Sequence, residues 1–296
     1  MPQSRPLQQK ANERNICRSP RNRVKGRWSL PTMSAHGRWL GIASEKGMPV
    51  ITATIVIPRR FNGPPRSGNG GYVCGRIAQY LSGPMRVRLR MPPPLEQELR
   101  VEASDDEARL FDGDRLVAEA QCVDFRIDLP AVPTFAQAQV ASKAYVGFTR
   151  HLLPTCFVCG PQRAEGDGMR IFPGPTSSDA VLAAPWIPHE SLADSSGRVM
   201  PEFLWAALDC AGAFAVMPPG DEMILLGELC ARLDSDVGVG ERCVIVAWPL
   251  AIEGRKRLAG TAIISASGAP VAQARATWIE IPAARGKDSS GIDGTP

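Results

Sequence analysis

Histidine, tyrosine and long apolar runs are scarce in this chain of 296 residues. Its three histidines, His36, His151 and His189, all fall in tail or loop segments. Hydratase or dehydratase chemistry is therefore disfavoured, because it needs a histidine placed beside an acid. No stretch of about 18 apolar residues occurs, so we expect no membrane span. No apolar signal-peptide core precedes the fold either, and we expect a cytoplasmic protein.

A framework of disulfides or a complete zinc motif is also missing. The eight cysteines are scattered through apolar segments such as GYVCG and GELCA, which predicts reduced cysteines packed in the core. Cys156 and Cys159 form one Cys-x-x-Cys pair, but no second such pair or histidine pair accompanies it. Since zinc takes about four ligands, we predict no metal site, and we predict no cofactor.

Charge is distributed unevenly along the chain. Residues 1–47 hold 10 of the 34 basic residues and 2 of the 30 acidic ones, so the remainder, with 24 and 28, is mildly acidic. This body gives no reason to expect nucleic-acid binding, and small or acyl substrates fit it better. The basic leader 1–47 lacks hydrophobic periodicity and is predicted to be disordered. It is a transit peptide, a functional basic arm or an untranslated extension before Met48.

The body indicates two copies of one plan. Each copy has a short strand, a helix and about four strands separated by turn residues such as DGD and SG. The closest match is LVAEAQ at 116–121 with PVAQAR at 270–275. We predict a first unit over 48–128, a linker with a short alanine-rich helix over 129–154, a second unit over 155–282 and a disordered tail over 283–296.

The helix predicted for each copy is apolar on nearly all sides. The first is GYVCGRIAQYL, and the second is PEFLWAALDCAGAFAVM, begun by Pro201 and ended by Pro218 and Pro219. A helix of this kind must be buried all round. We therefore predict an α+β fold in which a long antiparallel sheet wraps around a central helix, twice.

Two motifs carry a resemblance to a known family. CFVCGPQRAEGDGMRIF (156–172) is similar to the opening of many hotdog thioesterase domains, and MPEFLWAALDCAGAFA (200–215) resembles their central helix with its acidic residue. GNGGYVCGRIA (68–78) resembles the Gly-Gly start of the same helix in a first domain. Over roughly 50–282 the chain thus resembles a tandem hotdog protein of the acyl-CoA thioesterase superfamily. The resemblance implies an acyl-CoA or acyl-carrier-protein thioester as substrate, and a monomer or a homo-oligomer of double hotdogs.

A thioester hydrolase polarises one carbonyl and activates one water. Unpaired backbone N–H groups at a helix N-terminus can polarise a carbonyl, and glycine lets the substrate approach them. We expect the N–H of Gly71 or Tyr72 to do this, with Gly70 giving access and Asn69 capping the helix or contacting the substrate. The resemblance assigns water activation to Asp209, which lies among apolar residues and faces Gly71 across the paired domains.

Other polar positions give weaker hypotheses. Glu202 precedes Asp209 by seven residues on the same predicted helical face, and we include it among the substrate-binding candidates. Arg255 and Lys256 are candidate contacts for CoA phosphates. The sheet threonine and glutamine that accompany the acid in the resembled double hotdogs align with Arg232 and Ala276, so they are missing or shifted. Asp209 then acts alone on water, acts as a nucleophile that gives an anhydride, or belongs to a non-catalytic acyl-thioester binding protein.

Overall fold

The computed structural model describes residues 40–43 and 49–281, apart from 179 and 221. Most of the predicted basic leader and the predicted tail lie outside these residues. Within the described residues, twelve strands form one antiparallel sheet in the order β1-β2-β4-β5-β6-β3-β9-β12-β11-β10-β8-β7. The strands are β1 (Leu40–Ala43), β2 (Pro49–Val56), β3 (Met85–Leu89), β4 (Glu98–Ala103), β5 (Glu107–Asp112), β6 (Arg115–Cys122), β7 (Gly174–Pro175), β8 (Leu182–Trp186), β9 (Met223–Leu233), β10 (Cys243–Glu253), β11 (Lys256–Ile264) and β12 (Pro270–Ile281).

The strand order repeats. β2 to β6 lie in the order β2-β4-β5-β6-β3, and β8 to β12 lie in the matching order β8-β10-β11-β12-β9. We call these the first half (49–122) and the second half (174–281). The halves join where β3 pairs with β9, with Val87 opposite Leu229. Both of these side chains are fully buried, so the seam between the halves belongs to the core.

In the part of the chain that the structure describes, four α-helices accompany the sheet: α1 (Gly70–Ala78), α2 (Phe135–Ser142), α3 (Pro201–Ala207) and α4 (Cys210–Ala215). α1 packs on β3, β5 and β6, α4 packs on β8, β10 and β11, and α1 and α3 pack on each other. A ring cluster fills the space around α1 and α3, where Phe61 stacks on Tyr72 and contacts Phe157 and Phe203.

From Cys243 to Trp248, β10 is buried on both faces. Cys243, Ile245 and Ala247 belong to the main core. The alternate residues Val244 and Val246 belong to a second core that includes Ala138 of α2. The short alanine-rich helix predicted within 129–154 is therefore present, and it covers the sheet of the second half on the side away from α4.

Two local expectations need correction. Part of the leader predicted to be disordered forms a strand: residues 40–43 (β1) pair with the edge of β2. The predicted strand GMRIFPG is absent over 168–173. There the N–H groups of Met169 and Ile171 donate to the carbonyls of Phe157 and Val158, so this segment binds the Cys-x-x-Cys loop instead of the sheet.

Candidate functional site

Asp209 lies at a break between two short helices. The sequence predicts one helix from Pro201 to Met217, but α3 ends at Ala207 and α4 begins at Cys210. Asp209 has φ −83° and ψ −84°, and its side chain does not cap α4. The hydroxyl of Thr261 on β11 donates to the carbonyl of Leu208 at 2.8 Å, which satisfies a group that the break leaves without a helical partner.

The carboxylate of Asp209 instead reaches the N-terminus of α1. Its Oδ2 accepts hydrogen bonds from the Gly71 N–H and from Asn69 Nδ2, both at 2.8 Å. Asn69 also caps α1, because its Oδ1 accepts from the Tyr72 N–H at 2.9 Å. A helix N-terminus carries partial positive charge, so this position stabilises the carboxylate. Both expected oxyanion donors, the N–H groups of Gly71 and Tyr72, are thus already occupied.

The backbone N–H of Gly70, one residue before Gly71, is unpaired among the described residues. As the first residue of α1, Gly70 has no acceptor one turn earlier. Its N–H also has no other hydrogen-bond partner within the part of the chain that the structure describes. Gly70 lines a cavity, together with Asn69 and Asp209. An unpaired backbone donor therefore occurs at the cavity one residue before the two that the sequence predicted.

Gly71 has a packing role in the same contact. A Cβ added to it would lie 2.5 Å from Asp209 Cβ and 2.7 Å from the Trp205 carbonyl oxygen. Gly75, one turn later, would bring a Cβ within 2.5 Å of Glu202 Cα. These two glycines let α1 and α3 approach closely, and that approach brings Asp209 to the N-terminus of α1.

The environment of Asp209 is unusual for a carboxylate. The side chain is buried, and Oδ1 has no hydrogen-bond partner among the described residues. Burial raises the pKa of Asp209 to about 7, although the hydrogen bonds from Gly71 and Asn69 act to lower it. Among the described residues, the hydrogen bonds to this carboxylate come from the start of α1, and no side chain of the sheet donates one.

A cavity of about 790 Å³ opens beside this carboxylate. Three arginines lie along it, Arg66, Arg90 and Arg150, with Glu222 as the acidic residue other than Asp209. Most of the lining is apolar and comes from both halves and from the segment 150–153, which lies between them in the sequence. It includes Leu89, Met91, Leu152, Phe214, Met217, Leu226, Trp278 and Ile279.

His151 also lines the cavity, which the sequence did not indicate. Its Nδ1 accepts from the Leu153 N–H at 3.0 Å, so Nε2 carries the proton and donates to the Cys159 carbonyl at 3.1 Å. Burial lowers the pKa of this histidine. Since backbone groups engage both ring nitrogens, His151 is not free to transfer a proton to a ligand.

Three cysteines meet at the cavity wall. Cys210, the first residue of α4, joins Cys156 and Cys159, and all three side chains are buried. Hydrogen bonds from Cys159 and Cys210 hold the pKa of Cys156 well below its ordinary value, against the effect of burial. The sequence showed the Cys-x-x-Cys pair but not the third cysteine, because the approach of α4 is a tertiary contact.

The other two predicted ligand contacts lie away from the cavity lining. The Tyr72 ring is buried against Phe61, and its hydroxyl accepts from Arg76 at 3.1 Å. Glu202 is buried between α1 and α3, where Gln79 Nε2 donates to Glu202 Oε2 at 2.7 Å. Neither residue lines the cavity. The structure therefore brings together Asn69, Gly70, Gly71 and Asp209, with Gly71 in contact with the carboxylate but outside the lining.

No protein-family model matches the chain, and a search of curated proteins finds no match. Solved structures do match. A putative thioesterase II from Thermobifida fusca YX is 13% identical, with 78% of this chain and 93% of that one covered and a TM-score of 0.53. An acyl-CoA thioesterase II from Mycobacterium marinum is 9% identical, with 78% and 93% covered and a TM-score of 0.52.

The dehydratase domain of a mycocerosic acid synthase-like polyketide synthase is 13% identical, with 85% and 99% covered and a TM-score of 0.55. Within the described residues, no helix is both long and apolar enough to cross a bilayer. The large antiparallel sheet with few helices agrees with these likenesses, and the chain has a hotdog fold of the kind found in thioesterases and in a dehydratase domain.

Proposed function

We propose that this chain is a tandem of two hotdog units that hydrolyses acyl-CoA or acyl-carrier-protein thioesters at one site per chain. The observation that carries the proposal is the meeting of Asp209 with the N-terminus of α1 at the cavity wall. The carboxylate comes from the second half and the unpaired Gly70 N–H from the first. The repeated strand order of the two halves supports the tandem arrangement.

The reaction needs one donor for the thioester oxygen and one base for water. The Gly70 N–H, at the positive end of α1, polarises the carbonyl. Water attacks the carbonyl carbon and transfers a proton to the free Oδ1 of Asp209, while Asn69 and Gly71 hold Oδ2. The carbon–sulfur bond then breaks, and the leaving thiolate takes the proton held by Asp209 Oδ1, which gives the free thiol and the carboxylic acid and restores the carboxylate.

The cavity has the two environments that such a substrate requires. Its apolar lining suits an acyl chain, and the arginines at positions 66, 90 and 150 can contact the phosphates of the carrier. Arg255, in the turn between β10 and β11, and Lys256, the first residue of β11, are the phosphate contacts considered from the sequence, and neither lines the cavity. We therefore place carrier recognition at the three cavity arginines.

The deciding experiment measures thiol release from acyl-CoAs of short to long chain length by wild type, Asp209→Asn and Asp234→Asn. The first variant keeps the shape of the side chain but removes the base, and we expect hydrolysis to fall by at least ~100-fold, the scale of general base catalysis. Asp234 is an exposed carboxylate paired with Arg232 outside the cavity, so its variant is expected to match wild type.

The alternative is a hotdog protein that binds acyl thioesters without turnover. Thermal stabilisation by acyl-CoA with no thiol release from any substrate would favour this alternative. An Asp209→Asn variant that hydrolyses as fast as wild type would remove Asp209 from the mechanism. Dehydratase chemistry is not proposed, because the ring nitrogens of His151 are both engaged by the backbone.

A further inference from the structure

The three cysteines at the cavity wall form a compact group of sulfur atoms. The Sγ atoms of Cys156, Cys159 and Cys210 all lie within 4.8 Å of one another. Cys156 and Cys210 are separated by 3.7 Å between sulfurs. Two sulfurs bound to one tetrahedral zinc ion at ~2.3 Å lie ~3.8 Å apart, so the observed spacing matches zinc coordination with small side-chain adjustments.

A side-chain amide donor lies beside two of these sulfurs. Asn69 Nδ2 lies 3.7 Å from Cys210 Sγ and 4.0 Å from Cys156 Sγ. Donors directed at sulfur favour the thiolate, which is the form that binds metal. Cysteines that merely fill a core need no such donors.

The group is also connected to the cavity. Cys156, Cys159 and Cys210 all line it, so a fourth ligand can reach a bound ion from that side. Three protein ligands with one open position form a recognised zinc arrangement. Two of the cysteines lie in the 156–160 loop and the third begins α4, so an ion here would fasten that loop to the helix break that holds Asp209.

We propose that Cys156, Cys159 and Cys210 bind a zinc ion through their three sulfurs, with the fourth position filled from the cavity. On binding, the thiols release their protons to solvent and no electron transfer is involved. The ion joins two segments that lie about fifty residues apart in the sequence. This proposal rests on the sulfur geometry and is independent of thioester hydrolysis.

The test is metal analysis of the full chain, purified under reducing conditions and dialysed against a weak chelator. We expect about one zinc ion per chain, the number that a single four-coordinate site holds. Replacement of zinc by cobalt is expected to produce the near-ultraviolet charge-transfer bands of thiolate coordination. Removal of the ion by a strong chelator is expected to lower the Tm.

Matched variants locate the ion. Cys156→Ala and Cys210→Ala are expected to lose stoichiometric zinc and the cobalt bands, whereas Cys243→Ala, which removes a buried thiol outside the group, is expected to retain both. Circular dichroism checks that each variant is folded, and if the cluster variants fail to fold, the wild-type cobalt spectrum decides. A reduced wild-type chain that binds neither zinc nor cobalt overturns the proposal, as does equal metal loss in Cys243→Ala.

Discussion

At the scale of single residues, two buried carboxylates seven residues apart have different surroundings. Asp209 lies at the cavity wall and receives hydrogen bonds from Asn69 and Gly71. Glu202 lies between helices and receives one from Gln79. Their separation by seven residues suggested a shared helical face, and both carboxylates do face α1, Asp209 at its start and Glu202 near its end at Gln79. Only Asp209 lines the cavity, so position in the sequence alone could not assign Glu202.

Glu202 gives a prediction about stability and pH. Burial raises its pKa above the ordinary value of 4.5, although Arg76 on α1 acts to lower it, and Tyr72 faces it from the same helix. The folded state therefore keeps this proton after the unfolded chain has released it. The free energy of unfolding of wild type therefore decreases as pH rises from about 4.5 through the raised pKa of Glu202. Glu202→Gln removes this decrease, because the amide carries no titrating proton.

The measurement is urea unfolding of wild type and Glu202→Gln below and well above pH 4.5, the ordinary glutamate pKa. We expect the variant to gain free energy of unfolding relative to wild type as pH increases. Glu98→Gln, which changes an exposed glutamate on β4, serves as the control. A stability difference between Glu202→Gln and wild type that stays constant with pH would contradict the prediction.

At the scale of elements, the contact between α1 and α3 determines the site. Asn69, Gly70 and Gly71 begin one helix, and Asp209 follows the end of the other. The glycine at position 75 continues this contact one turn further, against Glu202. The meeting of the two helices positions the carboxylate, and neither helix forms the site alone.

Gly75→Ala tests this close packing with two opposing effects. Helix propensity alone would favour alanine by about 1 kcal/mol. The new Cβ, however, would lie 2.5 Å from Glu202 Cα, a backbone atom that cannot move away cheaply. We expect overpacking to win and the free energy of unfolding to fall by about 1–3 kcal/mol, measured by urea unfolding.

Gly238→Ala is the matched control, because nothing lies within 4 Å of its added Cβ and its φ is not in the left-handed region. Its stability is expected to remain within about 0.5 kcal/mol of wild type. If Gly75→Ala were as stable as this control, the helices would not be in the close contact described.

Much of this element-scale arrangement follows from the sequence. Turn residues and alternating apolar residues predict the strands, and the Asn-Gly-Gly run predicts the start of α1. The resemblance predicts the meeting of Asp209 with Gly71. The break at Asp209, the occupied Gly71 N–H and the approach of Cys210 to Cys156 could not be predicted. Each depends on contacts between segments far apart in the chain, and no local periodicity encodes them.

At the scale of the whole molecule, the seam between the halves makes them one structural body. Val87 and Leu229 pair across it in the core, and Arg88 bonds to Glu228 at 2.6 Å beside them. α1 and α3 add a second contact between the halves. Separate unfolding of one half would expose both contact surfaces, which is unfavourable because buried apolar area stabilises the folded state.

We therefore expect the halves to unfold in one cooperative transition. The described tryptophans, Trp186, Trp205, Trp248 and Trp278, all lie in the second half, whereas circular dichroism reports on the whole sheet. In a Trp28→Phe, Trp39→Phe background, the two signals are expected to give the same urea midpoint. A fluorescence transition displaced from the circular dichroism transition would show that the halves unfold independently.

The site takes its helix start from one half and its carboxylate from the other, which bears on why both halves are encoded in one chain. The first half carries the Asn-Gly-Gly turn, and the second half carries the Asp209 carboxylate but begins its helix with Pro-Glu. A protein made of two copies of the first half would have two Asn-Gly-Gly turns and no such carboxylate, and one made of two copies of the second half would have two carboxylates and no such turn. Joining both halves in one polypeptide ensures that every translated chain receives one of each, so neither half can be lost or replaced by its counterpart.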